Sequence, residues 1–413
     1  MTADAGHFSR SWLVICLLIG VVVASANVVI DPYLVFKMPR VNGFNDKKPS
    51  IETKERLIKA YEVIRAAPNG LILGTSRVAL GLDAEHPSWP AKARPVYNLG
   101  LAGADLFTSY RYLQHVLAHR VVTTVVLGLD FEYFLIKKRD LSAPLEFESY
   151  LSVDRDGRPD PSRRWYHLRD LAEASFSLEA LGDSIATVRA SRRREALDVT
   201  PAGNMSEAGF RQETAELGPA PLFEQRNLHN MRTYRGRTFA RSSPGEADAP
   251  ALVALRAIVD LCRARGIQLE LFAQPMHADL LETLDLLGAW ASYESWKREL
   301  VEIGRGQARG DGPGVRVWDF GGYDQFSTEP LPEISDGRTP LRWFWEPSHY
   351  SKALGDIILT RIFGGADRGY GVVLTPDTIE ARLADVRERR RTYRERHPED
   401  ARRLRSLYES VSR

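Results

Sequence analysis

The chain predicts an α/β domain of three layers, a parallel sheet sandwiched between helices, carrying a helical insertion and preceded by an N-terminal apolar helix. Three observations lead there. Short apolar runs at 70–73, 95–99 and 123–129 alternate with segments of helical spacing, the rhythm of strand and covering helix. The third run, with Val125, Val126 and Leu127, is almost uninterrupted, as in a strand buried on both faces of a parallel sheet. The same alternation resumes after residue 248.

The first element is the 19-residue uncharged run Trp12–Ile30, close to the roughly 20 residues a helix needs to cross a bilayer. Ala24-Ser25-Ala26 fits the small-residue cleavage site of a signal peptide. Val28, Val29 and Ile30 extend the run to Asp31-Pro32, which favours an uncleaved anchor. Lys37, Arg40, Lys47 and Lys48 outnumber Arg10, so charge bias does not set the orientation. The signal-like position does, and it places the main domain outside the cytoplasm, in the periplasm.

Residues 32–53 read as a linker, polar and irregular from Pro39 onward. The first part of the core is expected over 54–135. Leu57, Ile58, Tyr61 and Ile64 give a helix over 55–66, followed by the strand Gly70–Leu73. The strand Pro95–Leu99 precedes a helix marked by Phe107, Tyr110, Leu113 and Val116, and the strand Thr123–Leu129 follows. Residues 136–248 are Arg-rich and poor in strand signals, a largely helical insertion expected to wall one side of a cleft. The second part of the core, 249–376, should hold a helix over 250–265 capped by Gly266, a strand over 267–273, and a long helix over 278–303. A strand over 315–320 and a helix over 352–363 complete it. The tail, 377–413, is a basic helix with interleaved acids, which reads as a solvated face.

Composition bounds the function. The chain has 413 residues, 44% of them hydrophobic and 27% charged, with a formal charge of +2. That balance gives no basis for a nucleic-acid partner. Cys16 and Cys262 are the two cysteines, so neither a disulfide outside the apolar run nor a cysteine-based metal site is expected. His277, in Gln274-Pro275-Met276-His277 at the end of a strand, lacks a metal-ligand pattern but is placed to line a pocket. No metal and no cofactor are expected.

The chemistry concentrates in two short segments. Gly74-Thr75-Ser76-Arg77 places a serine on a tight turn after a strand, and Trp345-Glu346-Pro347-Ser348-His349-Tyr350 carries a histidine three residues after a carboxylate. A serine hydroxyl becomes a nucleophile when an imidazole takes its proton, and the imidazole needs an acceptor on its other nitrogen. Ser76 as nucleophile, His349 as base and Glu346 as orienting acid meet that need. Taken alone, Ser76 reads first as a helix N-cap, and His349 as a packed core position. Gly182-Asp183-Ser184 is set aside because it falls in a helical pattern with no strand before it.

The strand-end Gly-x-Ser, the block Asn98-Leu99-Gly100-Leu101-Ala102-Gly103, and the late acid-x-x-His together resemble the SGNH/GDSL hydrolase superfamily. The resemblance is nearest to its membrane-anchored branch, which includes the teichoic-acid D-alanylation and the alginate and cellulose acetylation proteins. It covers about 54–134 and 251–363, and implies a flavodoxin-like sheet. It further implies an acyltransferase or esterase using a Ser76-His349-Glu346 triad, with Gly100 or Gly103 as oxyanion donors. The implied partners are a polysaccharide or other hydroxylated polymer and a membrane protein that donates acyl groups. Two positions depart from the family pattern: Glu346 stands for its Asp, and Gly128-Leu129-Asp130 for its Gly-x-Asn. An ionised Asp130 cannot donate to an oxyanion, so either Arg77 substitutes there or Asp130 is a buried structural anion paired with a cation. A non-catalytic assembly or carbohydrate-binding component is the rival reading.

Overall fold

The computed structural model describes residues 2–135, 145–237, 249–305, 314–332, 339–364 and 369–412. In chain order the elements are α1 (Thr2–Ile30), α2 (Ile51–Ala66), β1 (Gly70–Gly74), α3 (Ser76–Gly81), β2 (Val96–Gly100), α4 (Leu106–Leu117) and β3 (Thr124–Leu129). The insertion contributes α5 (Arg163–Phe176), α6 (Leu178–Ser191), α7 (Ala208–Leu217) and α8 (Pro219–Tyr234). Then come α9 (Pro250–Ala264), β4 (Gln268–Ala273), α10 (Ala278–Leu286), α11 (Trp290–Arg305) and β5 (Val315–Asp319). The chain continues with α12 (Lys352–Phe363), β6 (Val372–Val373), α13 (Ile379–Arg396) and α14 (Pro398–Ser412).

The sheet runs β2-β1-β3-β4-β5-β6. Its first five strands are parallel, and β6 pairs antiparallel with β5. Side chains alternate between faces as the pleat requires. Leu71, Leu73, Val125, Leu127, Leu269 and Leu271 pack under α4, α9 and α11. Ile72, Val126, Phe272 and Trp318 pack under α3 and α12. The sheet is thus covered on both faces, which is why its strands read as continuous apolar runs.

Three expectations need correction. The sheet is mixed, because β6 pairs antiparallel with β5; at two residues that strand is too short to leave a periodic signal. The helix expected over 278–303 is two helices, broken at Gly288, whose φ of +72° ends α10. The tail is strapped to the core rather than free in solvent: Arg387 pairs with Glu294, Arg390 and Arg394 with Glu282 and Asp285, and Arg403 with Asp279. Residues 31–50 hold no helix or strand, yet Leu34, Val35 and Lys48 are buried. Lys48 Nζ donates to the carbonyls of Ile30 and Asp31 at 3.0 and 2.8 Å.

The chain order reverses between β1 and β3, and a parallel sheet leaves a crevice at the carboxyl ends of its strands there. The segments after β1, β3, β4 and β5 all converge on that edge.

Candidate active site

Thr75 is the N-cap of α3, with its Oγ1 accepting from the Arg77 amide at 3.3 Å. Ser76 is therefore the first helical residue, and its hydroxyl is not spent on capping. It meets His349 Nε2 at 2.8 Å across 273 residues of sequence.

The approach is built by packing. A Cβ on Gly355 of α12 would sit 1.7 Å from the Gly81 carbonyl oxygen, so α3 and α12 cross with their backbones in contact. That contact fixes the start of α3 against the loop that leads into α12.

The loop holds His349. Phe344 and Tyr350 form an antiparallel bridge, and the Trp345 amide donates to the His349 carbonyl at 2.9 Å. Within this hairpin Glu346 Oε1 accepts from His349 Nδ1, from the His349 amide at 2.7 Å and from Ser348 Oγ at 2.5 Å. With a carboxylate on Nδ1, that nitrogen carries the proton and Nε2 is left to accept from Ser76. Glu346 is buried. Burial alone would raise its pKa, but attraction to His349 and the bonds from His349 and Ser348 prevail and hold it at about 2. The longer reach of Glu over Asp is absorbed by the turn, which folds the carboxylate back onto its own loop.

Arg77 and Asp130 form a second cluster behind the serine. Arg77 Nη1 donates to Asp130 Oδ1, and Glu132 Oε1 lies 3.4 Å from the same nitrogen; Arg77 Nη2 donates to the Pro275 carbonyl. Asp130 also accepts from Thr75 Oγ1 and Gln274 Nε2, each at 2.7 Å. Gln274 Oε1 in turn accepts from the Tyr350 hydroxyl at 3.0 Å. Asp130 is thus a buried anion paired with Arg77, and Arg77 points into the core rather than toward a bound oxyanion. Burial pushes the neighbouring Glu132 carboxyl up to about 7, Arg77 opposing and Asp130 adding to the rise.

The Gly100 amide does not fit the donor role. The Gly100 amide donates to Asn98 Oδ1 at 3.0 Å, and its carbonyl accepts from the buried Lys59 Nζ. Glycine is needed there because a Cβ would come within 2.7 Å of the Ala79 amide nitrogen. Gly103 is exposed, with φ of +62°, in a turn that lines a groove of about 420 Å³ with Glu52, Arg56, Thr108 and Tyr150. Ser76 is not among the residues of that groove. The Ser76 amide, first of its helix, has no intrahelical acceptor.

His277 caps α10, accepting from the Asp279 amide, and its Nε2 meets the Glu329 carbonyl at 2.8 Å. Its own amide donates to the Pro347 carbonyl at 3.0 Å, so it braces the Glu346–His349 loop. Asp183 and Ser184 bind Tyr33 and Asn27, away from Ser76.

Sequence reasoning missed four contributors. Phe210 of α7 lies over His349, ring centroids 5.0 Å apart, and stacks on Trp345. Glu207 accepts from Trp345 Nε1 and from the Lys352 amide, each at 2.9 Å, tying the insertion to the loop. Ser348 and Glu132 adjoin residues already singled out, which was the available signal. Phe210 and Glu207 had none, because their partners lie about 140 residues away. Comparison with protein-family models and with curated proteins gives no match to this chain.

Proposed function

We propose that the protein is a serine-dependent O-acyltransferase or esterase of the membrane-anchored SGNH-like kind. In this reading α1 is retained as a single-pass anchor of the cytoplasmic membrane and the α/β domain faces the periplasm. The substrate is an ester, acetyl in the first instance, of an envelope or extracellular polysaccharide. A membrane protein that donates acyl groups is the matching partner.

The observation that carries the reading is the line from Ser76 Oγ to His349 Nε2 and from His349 Nδ1 to Glu346. Ser76 attacks the acyl carbonyl as His349 takes its proton, and Glu346 stabilises the imidazolium. The leaving alcohol collects that proton, which leaves an acyl-serine. A sugar hydroxyl, or water, then gives its proton to His349 and resolves the acyl-enzyme. The Ser76 amide is the donor best placed by its helix position for the developing oxyanion.

Full-length protein should react with a fluorophosphonate probe and show a mass adduct on Ser76, while Ser76→Ala stays unlabelled. A folded wild type that never labels would replace this reading with a non-catalytic, carbohydrate-binding one. The observation on that side is the commitment of both Asp130 and the Gly100 amide to other partners.

A further inference from the structure

One feature of the insertion is unused by the site. α5 and α6 each present an exposed apolar stripe. On α5 it comprises Trp165, Leu168 and Phe176, exposed by 63, 53 and 65%; on α6, Leu178 and Ile185, exposed by 79 and 45%. These spacings of three, eight and seven residues keep each set near one helix face. Isolated exposed apolar residues are ordinary, but paired stripes on adjoining helices mark a contact surface.

The same two helices are those against which α1 packs. The contact is specific. Asn27 Nδ2 donates to the Ser175 carbonyl at 2.9 Å, Ser184 Oγ donates to Asn27 Oδ1 at 2.9 Å, and Tyr33 donates to Asp183 at 2.7 Å. Along α1, Val23, Ala24, Ala26, Val28 and Ile30 are partly covered and Asn27 is buried, whereas 9–19 are exposed throughout.

Lengths then decide what the stripes face. The apolar segment Ser9–Ile30 has 22 residues, about 33 Å of helix against a hydrocarbon core of about 30 Å. Its last eight residues, Val23–Ile30, are those that lean on α5 and α6. If the folded domain stayed clear of the lipid, only Ser9–Val22 would remain to span, about 21 Å, which is too short. A spanning α1 therefore draws the corner between α5 and α6 below the membrane surface.

We propose that α5 and α6 form a lipid-embedded platform, their apolar stripes lying at the headgroup and acyl boundary of the leaflet beside the C-terminal end of α1. The proposal rests on reading α1 as a retained anchor. Trp165 lies under the Arg164 guanidinium, 5.2 Å from its ring centroid, a pairing suited to an interface where the ring is apolar and the cation meets lipid phosphate. The polar bonds of Asn27 also make sense at that depth, since an amide in lipid needs partners. The platform sets the height and tilt of the domain, and with them how the Ser76 crevice faces the membrane.

The test uses the full chain in a Cys16→Ser background; Cys262 is buried and stays unlabelled. Bimane is placed singly on Phe176→Cys, Ile185→Cys, Val22→Cys and Val121→Cys, the last at a site 82% exposed. Each labelled protein is reconstituted into phosphatidylcholine–phosphatidylglycerol vesicles. Labels at 176 and 185 should be quenched by nitroxide on carbon 5 of the lipid chains and be shielded from aqueous iodide about five-fold relative to 121. If they meet iodide as readily as 121 while the label at 22 is quenched by lipid, the platform is wrong and the anchor stands. If the label at 22 is also open to iodide, both fall.

Discussion

Ser76 and Arg77 are neighbours on one turn of α3, and each faces a buried carboxylate cluster, yet the clusters are built for opposite purposes. On the Ser76 side, Glu346 holds a histidine whose side chain is 20% exposed. On the Arg77 side, Asp130 holds a guanidinium whose side chain is 4% exposed, and a guanidinium does not give up its proton. The difference lies in the cation, not in the acid. In the proposed reading the first arrangement is a proton relay at the crevice, while the permanent cation in the core is a strut. Tyr350 and Gln274 join the two clusters through consecutive hydrogen bonds, so the Arg77–Asp130 pair is tied to the loop that carries His349.

The contrast breaks first at the relay. If the triad reading holds, Ser76→Ala or His349→Ala should each lower esterase turnover on the order of 10⁶-fold, with Tm unchanged by circular dichroism. Retained turnover in either variant would remove the relay from the comparison.

Glu346→Gln comes next, with a loss of about 10²–10⁴-fold in kcat, because a neutral amide no longer fixes the tautomer or stabilises the imidazolium. Glu346 is held at about 2 against an ordinary 4.5. Its stabilising effect is therefore complete above the unfolded value and is lost only as pH falls from about 4.5 through about 2. An acid limb of the wild-type rate profile above pH 5 thus belongs to another group, and a profile in Glu346→Gln that keeps that limb would confirm the separation.

On the strut side the expected damage is to stability. Asp130→Asn leaves Arg77 without its main counter-charge and should cost about 3–5 kcal/mol, roughly 10 °C in Tm, with kcat falling less than in Glu346→Gln. A clear rate gain at unchanged Tm would show that the carboxylate opposes the oxyanion instead.

The smallest effect is expected at Glu132. Burial raises its carboxyl to about 7 from an ordinary 4.5, so the folded chain keeps a proton that the unfolded chain releases in that window. Stability from this group is present at low pH and falls as pH rises from about 4.5 through 7. Glu132→Gln should flatten the loss of Tm between pH 5 and 8 by a few degrees; an unchanged slope would mean the carboxyl ionises freely.

What could be read in advance follows the reach of each interaction. The central strands were legible because burial on both faces leaves an unbroken apolar signature, as in Val125–Leu127. Ser76, His349 and Glu346 were legible because their residue types and turns are local. The glycine block was misread: Gly100 looks like an open backbone donor, and what requires it is the Ala79 amide packed against it, a tertiary contact. The tail was misread for the same reason, since Arg390, Arg394 and Arg403 find their acids on α10, over a hundred residues earlier. Phe210 above His349 and the two-residue β6 carry no sequence pattern at all.

The last helix has a consequence for the order in which the molecule is completed. α14 packs on α8 of the insertion and on α10 of the core. Asp279 of α10 accepts from Asn227 of α8 at 2.8 Å and from Arg403 of α14 at 2.7 Å, and Arg235, just past α8, donates to the Val411 carbonyl. One carboxylate is the knot for three segments that leave the ribosome far apart in time. That three-way tie is complete only once residues 398–412 have followed α8 and α10.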